Sequence, residues 1–393
     1  MMKKTIALLA ALCIILGAGV GILVYRAVSR NAEPAPAETA APETAEVPED
    51  TDEPAGLDFA AMRALYDDDE VVMTIDGQEI KWSEYFYWMS YNATMIQNYV
   101  GAVDDWNAEF YDGLSYAQYI RDAVEDNCRQ YHTLETFAKD KNLSLSEDDL
   151  QAIADQRAYD ISNYCGEGGT EEDFAAYLAG LNMTPEIYDY NSSTYQLYQS
   201  GFAQLYGENG ENCPDELIQS FLEENGFMNA NHILFMTIDP ATGEKLEEEV
   251  IAEKLEQAQA LVDKLRAITE IEELIARFEE LKEEYCEDTG KAAYPHGYVF
   301  THGTMVEEFE NGVLSLGDYE VSDPIESSYG YHIILRLPLS LVTAQTVVDM
   351  QYGYTADYAA AISTYTKTVE SYIDNAEVRY KPGFENFSIA DIA

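Results

Sequence analysis

Runs of apolar residues between Asn229 and Leu337 form a pattern that is typical of one α+β domain. The domain is predicted to begin and end with buried strands, because Ala230–Ile238 and Gly330–Leu337 are rich in aliphatic and β-branched residues. The elements predicted between these strands are the helices Leu246–Ala267, Ile271–Tyr285 and Met305–Leu314 and the strands Gly297–Phe300 and Val321–Ile325. This order predicts a small, mostly antiparallel sheet flanked by helices.

The residues on either side of this domain have mainly helical patterns. They begin with a predicted hairpin, Val71–Ile75 and Gln78–Lys81, joined by the pair Asp-Gly, which suits a two-residue turn. Ser83 is the predicted N-cap of the next helix. The predicted helices are Glu84–Val100, Tyr116–Asn142, Ser146–Tyr164, Glu171–Leu181, Pro185–Tyr206, Pro214–Glu224 and, after the α+β domain, Ala344–Asn375. The flanks are therefore expected to form a helical domain.

The start of the chain sets the expected cellular location. An uncharged apolar run, Thr5–Tyr25, follows Lys3 and Lys4 and precedes Arg26 and Arg30. At ~20 residues the run can span a bilayer, and it exceeds the roughly 7–15 residues of a cleavable signal core. Because no clear cleavage site follows, we expect a single transmembrane signal anchor, with the bulk of the chain outside the cytoplasm. A cleaved signal is the alternative.

A proline-rich, acidic segment follows this run. Asn31–Ala55 contains alanine, threonine and glutamate around its prolines, and no lysine or arginine. Such a segment buries too little apolar surface to order itself, and its like charges extend it. It predicts a disordered tether over residues 31–57.

The chain is strongly acidic. Its 393 residues include 73 acidic and 22 basic residues, which gives a formal net charge of −51. This charge repels phosphate, and no basic stripe is present, so nucleic-acid binding is not expected. A solvated, non-adhesive surface and an attraction for cations or basic peptide segments are both open interpretations.

The cysteines indicate neither a zinc ribbon nor a thioredoxin-like site. Cys13 lies inside the apolar run, and the remaining four form no Cys-x-x-Cys pair. A disulfide between Cys128 and Cys165 and a set of free buried thiols are both open. The other two cysteines are Cys213 and Cys286.

The candidate chemistry lies on the two outer strands of the α+β domain. The sequence Ala-Asn-His-Ile-Leu places His232 in the first strand, and Tyr-Gly-Tyr-His-Ile-Ile places His332 in the last. A metal site is not expected, because His296 and His302 have neither helical spacing nor a nearby cysteine at zinc-site spacing. The sequence contains neither the Gly-x-Ser-x-Gly motif of serine hydrolases nor a glycine-rich loop of the kind that binds phosphate.

These phrases and those between them resemble the parvulin family of peptidyl-prolyl cis/trans isomerases, in particular the secreted foldases of the PrsA and SurA type. The intervening phrases are Tyr-Cys-Glu-Asp-Thr-Gly at 285–290, Gly-Thr-Met-Val-Glu-Glu-Phe-Glu at 303–310 and Val-Ser-Asp-Pro-Ile-Glu at 321–326. Residues 72–85 are also similar to the opening of the chaperone domain of these foldases.

The resemblance implies a proline-binding pocket built from Met305 and Phe309, four residues apart on one predicted helical face. It also implies a hydrogen-bonding role for the paired histidines, His232 and His332, and for Ser327, five residues before the second histidine. Satisfied core residues are the structural alternative at each of these positions.

One position departs from the family pattern. The family commonly carries aspartate or cysteine nine residues before the pocket methionine, and here that position is His296. A neutral imidazole can donate or accept one hydrogen bond, but it supplies neither a carboxylate nor a thiol. Phe235–Glu244 also lacks lysine and arginine, so no cationic clamp for a phosphorylated substrate is expected.

The function implied is acceleration of X–Pro isomerisation in exported polypeptides, which needs no cofactor because no covalent bond breaks. The alternatives are a non-catalytic peptide-binding chaperone with a degenerate isomerase domain and a scaffold for one dedicated partner. The expected organisation is an anchor at 1–30, a linker at 31–57, a helical chaperone domain at 58–228, an isomerase domain at 229–339 and a closing C-terminal segment at 340–393.

Overall fold

The structure, a computed structural model, describes residues 57–391. The predicted anchor, Thr5–Tyr25, and nearly all of the predicted linker lie outside the described residues. Among the helices of residues 57–391, none combines the length and the apolar character needed to cross a membrane. The described residues form both helices and antiparallel sheets, which confirms the expected α+β class.

The chain divides into two compact units. The first contains the described residues 57–201 and 368–391, and the second contains residues 202–367. The second unit thus includes the predicted isomerase domain, 229–339, together with adjoining residues on both sides.

The first unit is mainly helical. Its elements, in chain order, are α1 Phe59–Arg63, β1 Val71–Ile75, β2 Gln78–Lys81, α2 Trp82–Val100, β3 Glu109–Tyr111, β4 Leu114–Ser115, α3 Tyr116–Lys141, α4 Glu147–Cys165, α5 Glu171–Gly180 and α6 Pro185–Tyr206, whose last residues belong to the second unit.

The predicted hairpin is confirmed. Asp76 and Gly77 have φ values of 50° and 81°, the left-handed conformations that a two-residue turn between antiparallel strands requires. A strand near the C-terminus, Val378–Tyr380, pairs antiparallel with the other edge of β1. This third strand was not anticipated from the sequence.

Capping boxes begin three of the helices. The hydroxyls of Ser115, Ser146 and Thr170 accept hydrogen bonds from backbone N–H groups of α3, α4 and α5. The prediction for α2 was wrong: the helix begins at Trp82, without a side-chain cap, and Ser83 lies inside it. A tertiary contact replaces the cap, because the Trp82 amide donates to the Glu70 carbonyl and its indole is fully buried.

The second unit contains a sheet with helices. Its elements, in chain order, are α7 Asp215–Glu224, β5 Met228–Met236, α8 Glu248–Arg266, α9 Ile271–Tyr285, β6 Tyr298–Phe300, α10 Glu307–Leu314, β7 Ile325–Glu326, β8 Gly330–Leu337, β9 Val347–Asp349, β10 Tyr354–Thr355 and α11 Ala356–Asn375, whose last residues belong to the first unit, as does β11 Val378–Tyr380.

The four-stranded sheet has the order β6-β5-β8-β7 and is antiparallel throughout. One face carries Ile233 and Ile333 and packs against helices α8 and α9. The other face carries Ala230 and Ile334 and packs against Phe309 of α10. Both β5 and β8 are therefore covered on two sides, which explains the apolar runs at 233–236 and 333–335.

Two predicted elements need correction. Helix α10 begins at Glu307, so Met305 precedes the helix rather than sharing a helical face with Phe309. The first part of the predicted helix Ala344–Asn375 is the hairpin β9–β10, which bends at Gly353 with φ of 71°. The spacing of the apolar residues in this part fits both a helix and a strand. The pairing of β9 with β10 selects the strands.

Most of the predicted strand Val321–Ile325 does not form a regular strand. Only Ile325 and Glu326 form a regular ladder with β8. Val321 makes one isolated bridge to Leu335.

Cys128, Cys165, Cys213 and Cys286 are all free thiols. The alternative of a Cys128–Cys165 disulfide is therefore wrong for this structure. Cys128 is fully buried within α3, where burial raises the pKa of its thiol well above the ordinary value.

Candidate active site

His232 and His332 lie next to each other on one face of the four-stranded sheet. In the β5–β8 ladder His232 lies opposite Ile334, and His332 lies opposite Leu234, so the histidines form a diagonal pair. Their Nδ1 atoms are 3.1 Å apart, and the two residues are 5% and 4% exposed. The structure brings together two residues that the sequence separates by 100 positions.

Asp288 and Ser327 extend this pair at its two ends. His232 Nε2 lies 3.0 Å from Asp288 Oδ2, and His332 Nε2 lies 2.7 Å from Ser327 Oγ. The Ser327 oxygen also accepts a hydrogen bond from the Tyr329 amide. The result is a continuous hydrogen-bonded chain from a carboxylate, through two imidazoles, to a hydroxyl.

The partners assign the protons in this chain. A carboxylate only accepts, so His232 donates from Nε2 to Asp288 and, in its neutral form, presents a bare Nδ1. His332 then donates from its Nδ1, which leaves its Nε2 to accept from the Ser327 hydroxyl. His332 is neutral in this arrangement, and all donors point toward Asp288.

The electrostatics agree with this assignment. Burial lowers the pKa of His332 to about 3, and the neighbouring His232 adds to the effect. Burial alone would raise the pKa of Asp288, but hydrogen bonds from His232, the Gly290 amide and the Tyr298 hydroxyl hold it below its ordinary value. The site therefore contains one fixed negative charge, and His332 is uncharged at neutral pH.

Tyr298 completes the surroundings of the carboxylate. Its hydroxyl donates to Asp288 Oδ2 at 2.7 Å, and the Gly290 amide donates to Oδ1 at 2.9 Å. Burial and the hydrogen bond to Asp288 raise the pKa of the Tyr298 phenol well above its ordinary value, so this donor stays protonated.

Phe309 forms an apolar wall against both imidazoles. Its ring centroid lies 5.2 Å from that of His232 and 5.4 Å from that of His332, and the side chain is 3% exposed. Met305 is partly buried against the same apolar cluster. The loop that carries Met305 is held by Glu310, whose carboxylate accepts from the amides of Gly303 and Met305.

His296 is the candidate residue that the structure does not bring to this group. It lies in the turn before β6, its side chain is 83% exposed, and its Nδ1 is 2.8 Å from Glu279. The carboxylate beside the histidines comes from Asp288 instead. The expectation that His296 stands in for this group therefore needs correction, because the turn directs its imidazole into solvent.

Asp288 and Tyr298 are the residues that sequence reasoning missed. The phrase at 285–290 contains Asp288, but no local spacing connects an aspartate to a histidine 56 positions earlier. The available signal was its position directly before a short 3₁₀ turn, Thr289–Ala292, which Asp288 caps through the Gly290 amide.

The arrangement combines an apolar wall with uncharged hydrogen-bonding groups and one buried carboxylate. Within residues 57–391, no group of three or more histidine, cysteine or acidic side chains could hold a metal ion. The apolar wall and the hydrogen-bonding groups can bind an apolar side chain, exclude water from it and form hydrogen bonds to a peptide.

Comparison with known proteins places this site in a recognised domain. Residues 232–337 match the family model of the rotamase PPIC-type PPIase domain. The chain is 51% identical over 59 residues to foldase protein PrsA 1 of Bacillus cereus, covering 14% of this chain and 20% of that protein. It is 24% identical over 269 residues to the PrsA foldase of Caldanaerobacter subterraneus, covering 67% and 72% of the two chains.

Two solved structures are also similar to parts of this chain. The crystal structure of PrsA from Bacillus subtilis is 18% identical and covers 67% of this chain and 91% of that one, with a TM-score of 0.24. The solution structure of NmPin, the parvulin of Nitrosopumilus maritimus, is 28% identical and covers 29% and 97%, with a TM-score of 0.20.

Proposed function

We propose that this chain, a parvulin-type foldase similar to PrsA with a peptidyl-prolyl isomerase domain at residues 232–337, accelerates cis/trans isomerisation of X–Pro bonds in exported polypeptides. The observation that carries the proposal is the hydrogen-bonded chain Asp288–His232–His332–Ser327 with Phe309 packed across both imidazoles.

The barrier to rotation about an X–Pro bond comes from the partial double-bond character of the amide, and for peptide bonds it is about 18–20 kcal/mol. A catalyst lowers it by holding the twisted amide better than either planar form and by removing water from the amide. Phe309 and Met305 would receive the proline ring. The uncharged imidazole of His332 would border this pocket without the strong hydration that a charged group would bring.

The histidines and Ser327 are proposed to orient the pocket rather than to transfer protons. His332 is uncharged at neutral pH, and the donors of the chain are already committed to acceptors. Asp288 would fix the tautomer of His232 from one end, and Ser327 would engage the free nitrogen of His332 at the other.

The enzyme is favoured over a non-catalytic chaperone. His296 in place of a carboxylate would favour a degenerate domain, but Asp288 supplies a carboxylate at hydrogen-bonding distance from His232. We further propose unphosphorylated substrates, because the loop after β5 contains no lysine or arginine before Lys245.

We also propose a cellular location for the chain and separate roles for its parts. A membrane anchor at Thr5–Tyr25 would hold the folded part outside the cytoplasm. The helical flanks, 58–228 and 340–393, would bind unfolded segments of exported proteins, and the domain 229–339 would act on their prolines. The unfolded polypeptide is the proposed partner, and no cofactor is required.

A protease-coupled assay with a short X–Pro peptide tests the enzyme. Wild type should accelerate isomerisation, Phe309→Ala should lower kcat/KM by ~10-fold, and Phe309→Leu should retain most of the rate because apolar volume is kept. Phe227→Ala, which removes an aromatic ring from a different apolar cluster, serves as the control. Absence of acceleration by wild type would rule out the enzyme, and equal rates for Phe309→Ala and wild type would rule out the pocket.

A further inference from the structure

Lys282 is a buried cation beside the isomerase site. It has no role in the reaction as proposed above. It lies in the last turns of α9 and is 4% exposed. Its ammonium donates three hydrogen bonds, to Asn231 Oδ1 at 2.8 Å, to the Tyr294 carbonyl at 2.9 Å and to the Pro295 carbonyl at 3.0 Å. All three N–H donors of the ammonium therefore have partners.

One of these acceptors belongs to the strand that carries His232. Asn231 directly precedes His232, and its Oδ1 also accepts a hydrogen bond from the His232 amide at 3.0 Å. The same oxygen thus joins the Lys282 ammonium to the backbone of the first histidine. A change at the ammonium is transmitted to that backbone through a single atom.

The other two acceptors belong to the loop that carries Asp288. This loop leaves α9 after Tyr285 and ends at Tyr298, whose hydroxyl donates to Asp288. The carbonyls of Tyr294 and Pro295 lie shortly before Tyr298, so Lys282 holds the returning part of the loop. The ammonium therefore joins both sides of the contact between Asp288 and His232.

Burial of the Lys282 ammonium carries a desolvation cost. Burial lowers the pKa of Lys282, whereas the negative charge of Asp288 favours the charged form. An apolar residue of similar length would avoid the desolvation cost but would leave the buried Asn231 oxygen and the two partly buried carbonyl oxygens without this donor.

We propose that Lys282 is a positioning residue of the isomerase site: its ammonium fixes the loop of Asp288 against the strand of His232 and so maintains the hydrogen bond between them. The proposal rests on the isomerase function for its catalytic consequence, but its structural consequence can be measured independently. Without the ammonium, the Asp288 carboxylate no longer holds one geometry against His232 Nε2, and His232 exchanges between its two tautomers.

The test uses the full-length chain in detergent micelles with ¹⁵N-labelled histidine, since the chain contains only five histidines. In wild type we expect His232 to carry its proton on Nε2 and His332 on Nδ1. Lys282→Met keeps the apolar length and removes the donors, so it should give averaged nitrogen shifts for His232 and a kcat/KM lower by roughly 10-fold. Lys264→Met, the same change at an exposed lysine of α8, should alter neither.

Wild-type histidine shifts in a folded Lys282→Met chain would overturn the proposal, even if activity fell. If wild type shows the expected tautomers and Lys282→Met loses them while neither protein isomerises proline peptides, the positioning role stands and the proposed function fails.

A second variant covers the case in which Lys282→Met does not fold. Asn231→Ala removes the link between the ammonium and the His232 amide but leaves both carbonyl acceptors in place. We expect the same change in the His232 shifts and a smaller loss of kcat/KM, about 3-fold. Unchanged shifts and an unchanged rate in folded Asn231→Ala would overturn the proposal.

Discussion

The Nδ1 atoms of His232 and His332 lie 3.1 Å apart on neighbouring antiparallel strands, and a hydrogen bond between them joins Asp288 to Ser327. Because each imidazole has only two nitrogens, the position of the proton on one histidine constrains its position on the other, along the whole series of hydrogen bonds. A substitution at either end is therefore expected to affect the far end.

Asp288→Asn is expected to lower kcat/KM by ~10-fold, which corresponds to about 1.4 kcal/mol of transition-state stabilisation. An amide can present an N–H group to His232 Nε2 and so reverse the proton order in the chain. The protease-coupled assay measures the effect. Asp323→Asn, at a carboxylate that is 80% exposed, is the matched control and should leave the rate unchanged. A wild-type rate for Asp288→Asn would show that the carboxylate does not set the tautomer.

The low pKa of His332 predicts a specific loss of stability in acid. The folded-state pKa is about 3 and the ordinary value is 6.5, so the contribution is complete above pH 6.5 and is lost as pH falls from 6.5 toward 3. Between pH 7 and pH 4.5, wild type should lose about 2–3 kcal/mol more unfolding free energy than His332→Gln. Asp288, with an ordinary pKa of 3.8, is affected mainly below this range.

Urea unfolding of wild type and His332→Gln at the two pH values measures this difference. Groups that are not coupled to His332 are the same in both proteins and cancel in the comparison. Parallel pH dependence of the two unfolding free energies would mean that His332 is not held neutral in the folded protein.

Gly330→Ala is expected to destabilise the strand that carries His332. Gly330 has φ of 147°, and a Cβ at this position would lie 2.0 Å from the Phe235 carbonyl oxygen of the neighbouring strand. Gly243→Ala is the matched control, because Gly243 has φ of 73° and open space around a Cβ. We expect a loss of about 1 kcal/mol at Gly243 and about 3 kcal/mol or more at Gly330, measured by chemical unfolding. Equal losses would mean that the close approach of the two strands does not limit this position.

The membrane anchor is tested by fractionation of cells that produce the full chain. Because Thr5–Tyr25 is long enough to span a bilayer, the protein should remain in the membrane fraction after alkaline washing, and a chain that begins at Gly56 should not. Mass spectrometry of the N-terminus provides the contrary evidence: a mature chain beginning beyond Tyr25, or lipid attached to Cys13, would exclude the anchor.

Much of the local structure followed from the sequence, because local forces control it. Capping boxes at Ser115 and Ser146 set the start of α3 and α4, and the Asp-Gly pair at 76–77 set the first hairpin. The apolar residues that follow His232 and His332 indicated strands β5 and β8, since consecutive apolar residues suit a sheet that is covered on both faces.

Tertiary structure decided the features for which the local sequence pattern fitted two structures equally well or gave no signal. The apolar residues of 344–355 fit a helix as well as a hairpin, and the pairing of β9 with β10 selected the hairpin. Asp288 reaches His232 only because the loop after α9 folds back on β5, and Lys282 helps to hold it there. Hydrogen bonds between residues more than 50 positions apart leave no periodic trace in a sequence, so the geometry of the site had to come from the folded chain.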